Sequence, residues 1–200
     1  MASTPAMTRL RALGPVFRSG KAVEAGVSWR DLYRLRDEGE LIELSRGLFQ
    51  LADAAGSDNA DFIAVCARAQ HGMVCLNSAL AYWDLSDEIP AVVHLAVPEG
   101  TNRPTLNYPP TRVHVFNAAT FDLGRREVRQ ARGEHFWITD LERSIVDAFR
   151  MRHLVGDSLA YAALQAYLSR PRAKPGRVVE LARELRVGGP VRDALRVLQG

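Results

Sequence analysis

Apolar residues recur with helical spacing between positions 28 and 38. On a helix that turns 100° per residue, Leu32 and Leu35 fall on one arc, and Trp29 lies at the edge of that arc. Arg30 and Arg34 fall on the opposite side, one turn apart. The pattern predicts a short amphipathic helix that buries its two leucines and directs two arginines outward.

Polar residues and glycines mark the ends of this helix and of the helices before it. Ser28 precedes the first helical residue, and Asp31 follows it by three positions, which is the spacing of a capping box. We expect earlier helices over residues 7–14 and 21–25, the second capped by Ser19 and ended by Gly26. Gly39 ends the helix that Ser28 begins. The sequence therefore predicts three helices, with a tight glycine turn between the second and the third.

Two short apolar runs follow, at residues 41–44 and 48–51, and they predict a β-hairpin. The loop between them is Ser45, Arg46 and Gly47. Glycine stands at the third loop position, where a three-residue hairpin loop requires a left-handed residue. Arg46 therefore lies at the tip of the predicted hairpin.

This order of elements is typical of a winged helix-turn-helix domain. The second helix of such a pair lies in the DNA major groove, and its N-terminal residues contact base edges. A hairpin tip reaches the neighbouring minor groove or a phosphate. The candidate DNA-binding residues are Ser19, Ser28, Trp29, Arg30, Tyr33, Arg34, Ser45 and Arg46. Two alternatives stay open: Asp37 and Glu38 pair with the arginines in an ordinary surface network, or the hairpin docks a protein.

The small, polar stretch at residues 52–59 predicts a linker that few contacts cross. It divides the chain into a winged helix-turn-helix DNA-binding domain, residues 1–55, and a second domain, residues 56–200. In the second domain we expect helices over residues 61–70, 77–83 and 141–152, the last capped by Thr139. Strands are predicted over residues 92–97 and 112–116, near Val128, and over 135–138. Further helices are predicted over residues 157–168, 175–185 and 191–198. The expected fold is α+β: an N-terminal winged helix-turn-helix, a mixed α/β domain and a helical C-terminal tail.

Composition and charge add the expected compartment and partners. The chain has 200 residues, 47% of them hydrophobic, with no apolar run near the roughly 20 residues that span a bilayer. We expect a cytoplasmic protein with no membrane partner. The 24 arginines against two lysines reflect a GC-rich genome or favour forked contacts to phosphate and guanine. The basic residues between 170 and 196 form either a second nucleic-acid surface or solvated helix faces.

The cysteines and histidines do not form a recognisable metal motif. Cys66 and Cys75 lie in apolar runs, and together with His71 they lack the paired C-x-x-C spacing of a zinc site. We expect buried free thiols and no metal. His94 and His114 lie in strand-like runs and are expected to be packed rather than catalytic.

An enzyme is the first rival interpretation, and the sequence does not favour it. A nuclease of the PD-(D/E)xK type needs an acidic pair that holds Mg²⁺ and a nearby lysine, whereas only Lys174 follows the linker. Asp140, Glu142 and Asp147 lie on a predicted helix, where we expect a first-turn residue, a cap partner, and a surface or packing residue, respectively. No glycine-rich phosphate loop or nucleophile elbow occurs. We expect no enzymatic activity and no cofactor.

Several short motifs resemble the AbiEi antitoxins of type IV toxin–antitoxin systems. Residues 18–51 resemble their N-terminal winged helix, with GVS at 26–28, leucines at 32 and 35, GEL at 39–41 and RGLF at 46–49. Residues 76–98 are similar to the family's Ser-Ala-Leu helix and the strand after it. Residues 138–150 (ITDLERSIVDAFR) are similar to its Thr-x-x-Glu-Arg-Thr-Leu-Val-Asp segment, with Ser144 and Ile145 replacing Thr-Leu. The resemblance covers roughly residues 8–155.

The resemblance implies two activities and two partners. The N-terminal domain is expected to repress its own operon by binding inverted repeats in double-stranded promoter DNA, with two protomers on one operator. The C-terminal domain is expected to counteract a nucleotidyltransferase-like toxin encoded next door, and the resemblance does not imply a stable complex between the two proteins. The alternative is a winged-helix transcriptional regulator whose C-terminal domain senses a small ligand.

Overall fold

A computed structural model describes residues 5–54, 59–106, 108–130 and 134–199, and the first of these segments contains three α-helices and a small sheet. The sheet is antiparallel with the strand order β1–β3–β2. The elements are α1 (Pro5–Ala12), β1 (Val16–Arg18), α2 (Ser19–Glu24), α3 (Trp29–Asp37), β2 (Leu41–Ser45) and β3 (Leu48–Leu51). The predicted winged helix-turn-helix and the α+β fold class are confirmed.

The core of this segment includes the two leucines that the helical spacing of α3 predicted. Leu32 and Leu35 are 0% and 1% exposed, and they share a cluster with Leu10 of α1 and Phe49 of β3. Burial of one leucine side chain contributes roughly 1.5–3 kcal/mol. The apolar arc of α3 therefore fixes which side of the helix remains outside.

Strand β1 was not predicted, because three residues carry no readable alternation. It pairs with β3 in the register Phe17↔Phe49, and the two rings lie 6.3 Å apart between centroids. The hairpin is therefore part of a three-stranded sheet, with β3 as the central strand, rather than a free ribbon.

The second region surrounds a mixed five-stranded sheet of order β6–β5–β4–β8–β7. The pairs β5–β6 and β4–β8 are parallel, and the others are antiparallel. Its elements are α4 (Ala60–Arg68), β4 (Met73–Val74), α5 (Leu76–Tyr82), β5 (Val93–Pro98), β6 (Thr111–Phe116), β7 (Arg125–Arg129), β8 (His135–Thr139), α6 (Leu141–Arg150), α7 (Arg152–Val155), α8 (Asp157–Leu168), α9 (Pro175–Glu184) and α10 (Gly188–Gln199). Central strand β4 was not predicted, because two residues have no periodicity of their own.

The C-terminal helices bury one large apolar cluster. Helix α6 contacts α5, α8 and α9, and its residues Ile145, Val146 and Phe149 are at most 2% exposed. The predicted helical tail is therefore part of the core of the second region and not a detached extension.

Two predicted helix caps were wrong by a single residue each. Helix α2 begins at Ser19 itself, which is buried, and the residue at the N-cap position is Arg18, whose side chain makes no cap bond. Helix α6 is capped by Asp140, whose Oδ1 accepts from the Arg143 backbone nitrogen at 2.7 Å. Thr139 is instead the last residue of β8 and hydrogen-bonds the Ser144 hydroxyl at 2.7 Å.

Contacts join the winged helix to the second region. Leu44 and Leu48 of the hairpin are buried against Ala64 of α4. The Arg18 guanidinium donates to the Ala67 carbonyl at 3.0 Å. The expectation that few contacts cross between the two regions is therefore not met, although residues 55–58 of the predicted linker lie outside the described residues. The boundary between residues 55 and 56 stays a prediction.

Candidate nucleic-acid interface

A tight turn sets the angle between α2 and α3. Gly26 has φ +81°, a left-handed conformation that favours glycine, and its carbonyl accepts from Arg9 Nη1 at 2.7 Å. Val27 is buried and its backbone nitrogen donates to the Ala22 carbonyl at 2.9 Å. These bonds anchor the start of α3 to the helices beneath it.

Ser28 caps α3, as the sequence predicted. Its Oγ accepts from the Asp31 backbone nitrogen at 3.1 Å, and its hydroxyl donates to Asp31 Oδ2 at 2.7 Å. The Ser28 hydroxyl bond lowers the pKa of Asp31 from its ordinary value. The carboxylate therefore stays ionised beside the positive end of the helix dipole, where negative charge is favourable.

The exposed side of α3 begins with two aromatic rings. Trp29 and Tyr33 are 49% and 42% exposed, and their rings stack at 6.1 Å between centroids with 25° between planes. The guanidinium of Arg36 lies 4.8 Å from the centroid of the Tyr33 ring. Both rings are therefore exposed, whereas Leu32 and Leu35 on the apolar side of the same helix are buried.

The two outward arginines of α3 differ in their surroundings. Arg34 Nη1 donates to both carboxylate oxygens of Glu38 at 2.9 Å, and its Nη2 lies 3.4 Å from Asp31 Oδ1. Arg30 is exposed, and its guanidinium has no hydrogen bond or ion pair with any residue in the described segments. The surface-network alternative therefore holds for Arg34 with Glu38 and not for Arg30, while Asp37 pairs with Arg36.

Arg46 lies at the turn of the hairpin, and the Glu43 carboxylate links this turn to α3 by hydrogen bonds. Gly47 has φ +71°, as predicted, but the predicted three-residue loop is wrong: the turn is Arg46 and Gly47 alone, because Ser45 is the last residue of β2 and pairs with Leu48. Arg46 is exposed, with no polar partner in the described segments. Glu43 Oε1 accepts from the Gly47 backbone nitrogen at 3.4 Å. Glu43 Oε2 accepts from Arg36 Nη1 at 3.1 Å. This link was not predicted, because Arg36 and Glu43 are seven residues apart and on different elements.

Two candidate residues lie inside the protein rather than on this surface. Ser19 is 9% exposed, and its backbone nitrogen donates to the Gly47 carbonyl at 2.9 Å. Ser45 is 4% exposed at the end of β2. Because both are buried, neither is available to contact DNA. The candidate residues that remain at the surface are Ser28, Trp29, Arg30, Tyr33, Arg34 and Arg46.

The carboxylates of the second region hold the core together. Asp147 was expected at the surface or in packing, and it is 0% exposed, with Oδ2 2.9 Å from the Nε of the equally buried Arg143. Arg143 also donates to the carbonyls of Thr120 and Leu123. Glu142 is no cap partner, because its Oε1 accepts from the Tyr167 hydroxyl at 2.7 Å. This network joins α6 to the turn before β7.

An open cleft of about 390 Å³ lies between the two regions. Phe17 and Arg18 line it on one side, and Ile63, Cys66 and Trp137 line it on the other. If the protein senses a small ligand, this cleft with its mixed apolar and charged lining is the site where the ligand would bind.

The two thiols lie in the core of the second region. Cys66 and Cys75 are buried and free, as predicted, and burial raises the pKa of the Cys66 thiol to about 12. Within residues 5–54, 59–106, 108–130 and 134–199, no group of three or more His, Cys, Asp or Glu side chains is placed to hold a metal ion. None of the helices described in those segments is long and apolar enough to cross a membrane.

Residues 6–52 match a family model described as "Transcriptional regulator, AbiEi antitoxin". The match runs from α1 through β3 and includes α3 and the hairpin. The predicted resemblance to AbiEi antitoxins is confirmed over this segment.

One solved structure has a similar fold along nearly the whole chain. It is the crystal structure of the RV2827C protein from Mycobacterium tuberculosis, with a TM-score of 0.54, 18% identity, and coverage of 98% of this chain and 82% of that one. At this identity the likeness shows the fold alone. No curated protein sequence matches the chain.

Proposed function

We propose that the protein is the antitoxin of a type IV toxin–antitoxin system and represses its own operon through α3 and the hairpin. The observation that carries this proposal is the unpaired Arg30 in the first turn of α3, with the unpaired Arg46 at the hairpin turn, as far as the described segments extend. Both lie inside the segment that matches the antitoxin regulator model. N-terminal residues of a recognition helix meet base edges, and a wing meets phosphate or the minor groove.

Titration of the protein against its own promoter DNA tests the operator-binding half of the proposal. Arg30→Ala should weaken binding by about 1–3 kcal/mol, because the removal of a base contact costs that much. Arg46→Ala should weaken binding to operator and unrelated DNA alike. Arg34→Ala should cost less than Arg30→Ala, because DNA must first displace Glu38 and Asp31 from the Arg34 guanidinium.

Arg129→Ala is the matched control for these variants. Arg129 lies on β7 in the second region, and its side chain is 78% exposed. Unchanged affinity in the Arg30, Arg34 and Arg46 variants alike would refute the groove model. We further propose that two protomers occupy an inverted repeat, so footprinting should give half-sites whose centres lie about one helical turn, or a multiple of it, apart.

The second half of the proposal assigns toxin antagonism to residues 56–200. The target of this antagonism would be a nucleotidyltransferase-like toxin encoded by the neighbouring gene, with no stable complex required. Fragments cut near residue 55 would uncover the apolar contact between Leu48 and Ala64. Point variants of the intact chain are therefore the better test.

The neighbouring toxin gene should be co-expressed with the wild-type chain or with Arg30→Ala, and growth should be scored. Arg30→Ala should restore growth as the wild type does, although it binds promoter DNA more weakly. Loss of rescue in Arg30→Ala at equal protein level would show that antagonism needs the DNA-binding surface. Absence of rescue by the wild type would refute the antitoxin assignment.

The cleft supports one second candidate, a regulator that senses a small ligand between its two regions. The volume of about 390 Å³ and the apolar lining around Phe17 and Ile63 suit a small organic molecule. The two candidates differ in the product of the adjacent gene, which is a toxin in one case and a metabolic protein in the other.

A further inference from the structure

The Trp29–Tyr33 stack occupies the side of α3 that the operator-binding proposal places against DNA. The two residues are the first and fifth of the helix, and Arg30 is the second. At 100° per residue, the rings fall 60–100° from Arg30 around the helix axis. The exposed surface of the first turns is therefore divided between an exposed guanidinium and a pair of aromatic rings.

The stack is held in place by charged groups from two elements. The Arg36 guanidinium lies over the Tyr33 ring at 4.8 Å, and the same guanidinium is bonded to Asp37 and to Glu43 of the hairpin. A ring fixed in this way loses little side-chain freedom when it meets a partner. Exposed apolar surface that is also preorganised is suited to recognition of an apolar group.

The charges around the stack point to DNA as the occupant. Arg30 is exposed in the first turn of the helix, and Arg46 is exposed at the hairpin turn; both lack an acidic partner in the described segments. The N-terminal end of a helix also favours anions. In the major groove, the one apolar group on a base edge is the C5-methyl group of thymine, and guanine offers two acceptors to arginine.

We infer that α3 recognises thymine C5-methyl groups through Trp29 and Tyr33, next to a guanine that Arg30 contacts. The inference rests on the operator-binding proposal and adds the chemical feature that the helix reads. Each operator half-site should then contain a G·C pair beside an A·T pair. Neither ring needs to enter the base stack for this contact.

Promoter DNA synthesised with deoxyuridine in place of thymidine tests the inference, because it lacks only the methyl groups. The wild-type protein should bind the uracil promoter about four-fold more weakly for each methyl group that the rings bury in the thymine promoter, the ratio expected for one buried carbon. Trp29→Ala and Tyr33→Ala should bind the thymine promoter more weakly and should discriminate less between the two DNAs. Arg30→Ala should bind more weakly and should keep the discrimination.

Tyr108→Ala is the matched control, because Tyr108 is 43% exposed and lies outside the winged helix. It should leave both affinity and discrimination unchanged. Equal affinity of the wild type for the two DNAs, with Arg30→Ala still impaired, would overturn the methyl inference and leave the operator-binding proposal standing. Discrimination that persists in both ring variants would also overturn it. Failure of the wild type to bind its promoter would overturn both.

Discussion

Acidification should destabilise the protein through a buried histidine pair. His94 on β5 and His114 on β6 are each 7% exposed, and their Nδ1 and Nε2 atoms lie 3.1 Å apart. The rings stack at 5.1 Å between centroids, which agrees with the prediction that both are packed. Burial, assisted by the neighbouring His114 and Arg112, lowers the pKa of His94 to about 4. Burial lowers the pKa of His114 as well.

The sign of the effect follows from proton binding in the two states. Between the unfolded pKa of 6.5 and the folded value of about 4, the unfolded chain binds a proton at His94 that the folded chain does not. Stability therefore falls as the pH drops through this window. At about 1.4 kcal/mol per pH unit, His94 alone removes about 1.4 kcal/mol by pH 5.5 and about 3 kcal/mol by pH 4.

Urea unfolding followed by circular dichroism at about pH 7.5 and about pH 5.5 measures this loss. His94→Gln has no titratable group at this position, so the difference in unfolding free energy between the two pH values should shrink by about 1 kcal/mol. His153→Gln is the control, because His153 is exposed on α7 and should leave the difference unchanged. Equal acid sensitivity of the wild type and His94→Gln would refute the reasoning.

Three further predictions concern the core and helix α3. Arg143→Met should lower the free energy of unfolding by about 3–5 kcal/mol in urea titrations, because it removes the guanidinium bonded to the buried Asp147 and to two carbonyls; a loss below about 1 kcal/mol would contradict this. Ser28→Ala should cost about 1 kcal/mol by the same assay, because the bond from the Asp31 backbone nitrogen is removed, whereas Ser28→Thr should retain most of it. Cys66 should react with iodoacetamide at neutral pH only after denaturant is added, because its thiol is buried and its pKa is raised to about 12; rapid labelling of the native protein, read by mass spectrometry, would contradict this.

The sequence by itself determined the elements whose signals are local. The apolar arc of α3, the Ser28 cap and the left-handed Gly47 depend on residues within a few positions of one another, and each was predicted correctly. The same holds for the long helices of the C-terminal tail, where the 3.6-residue period is sampled several times.

Tertiary structure decided whatever depends on partners far along the chain. Strands β1 and β4 have three and two residues, too few for a period, and they exist because β3 and β5 offer hydrogen-bonding edges. The burial of Ser19 and Ser45, and the Arg36–Glu43 link that orients the exposed stack, likewise depend on the packing of the hairpin. A residue's own neighbours in sequence determine which backbone conformation is cheapest, whereas burial and charge pairing depend on which distant residues the fold brings within a few ångströms.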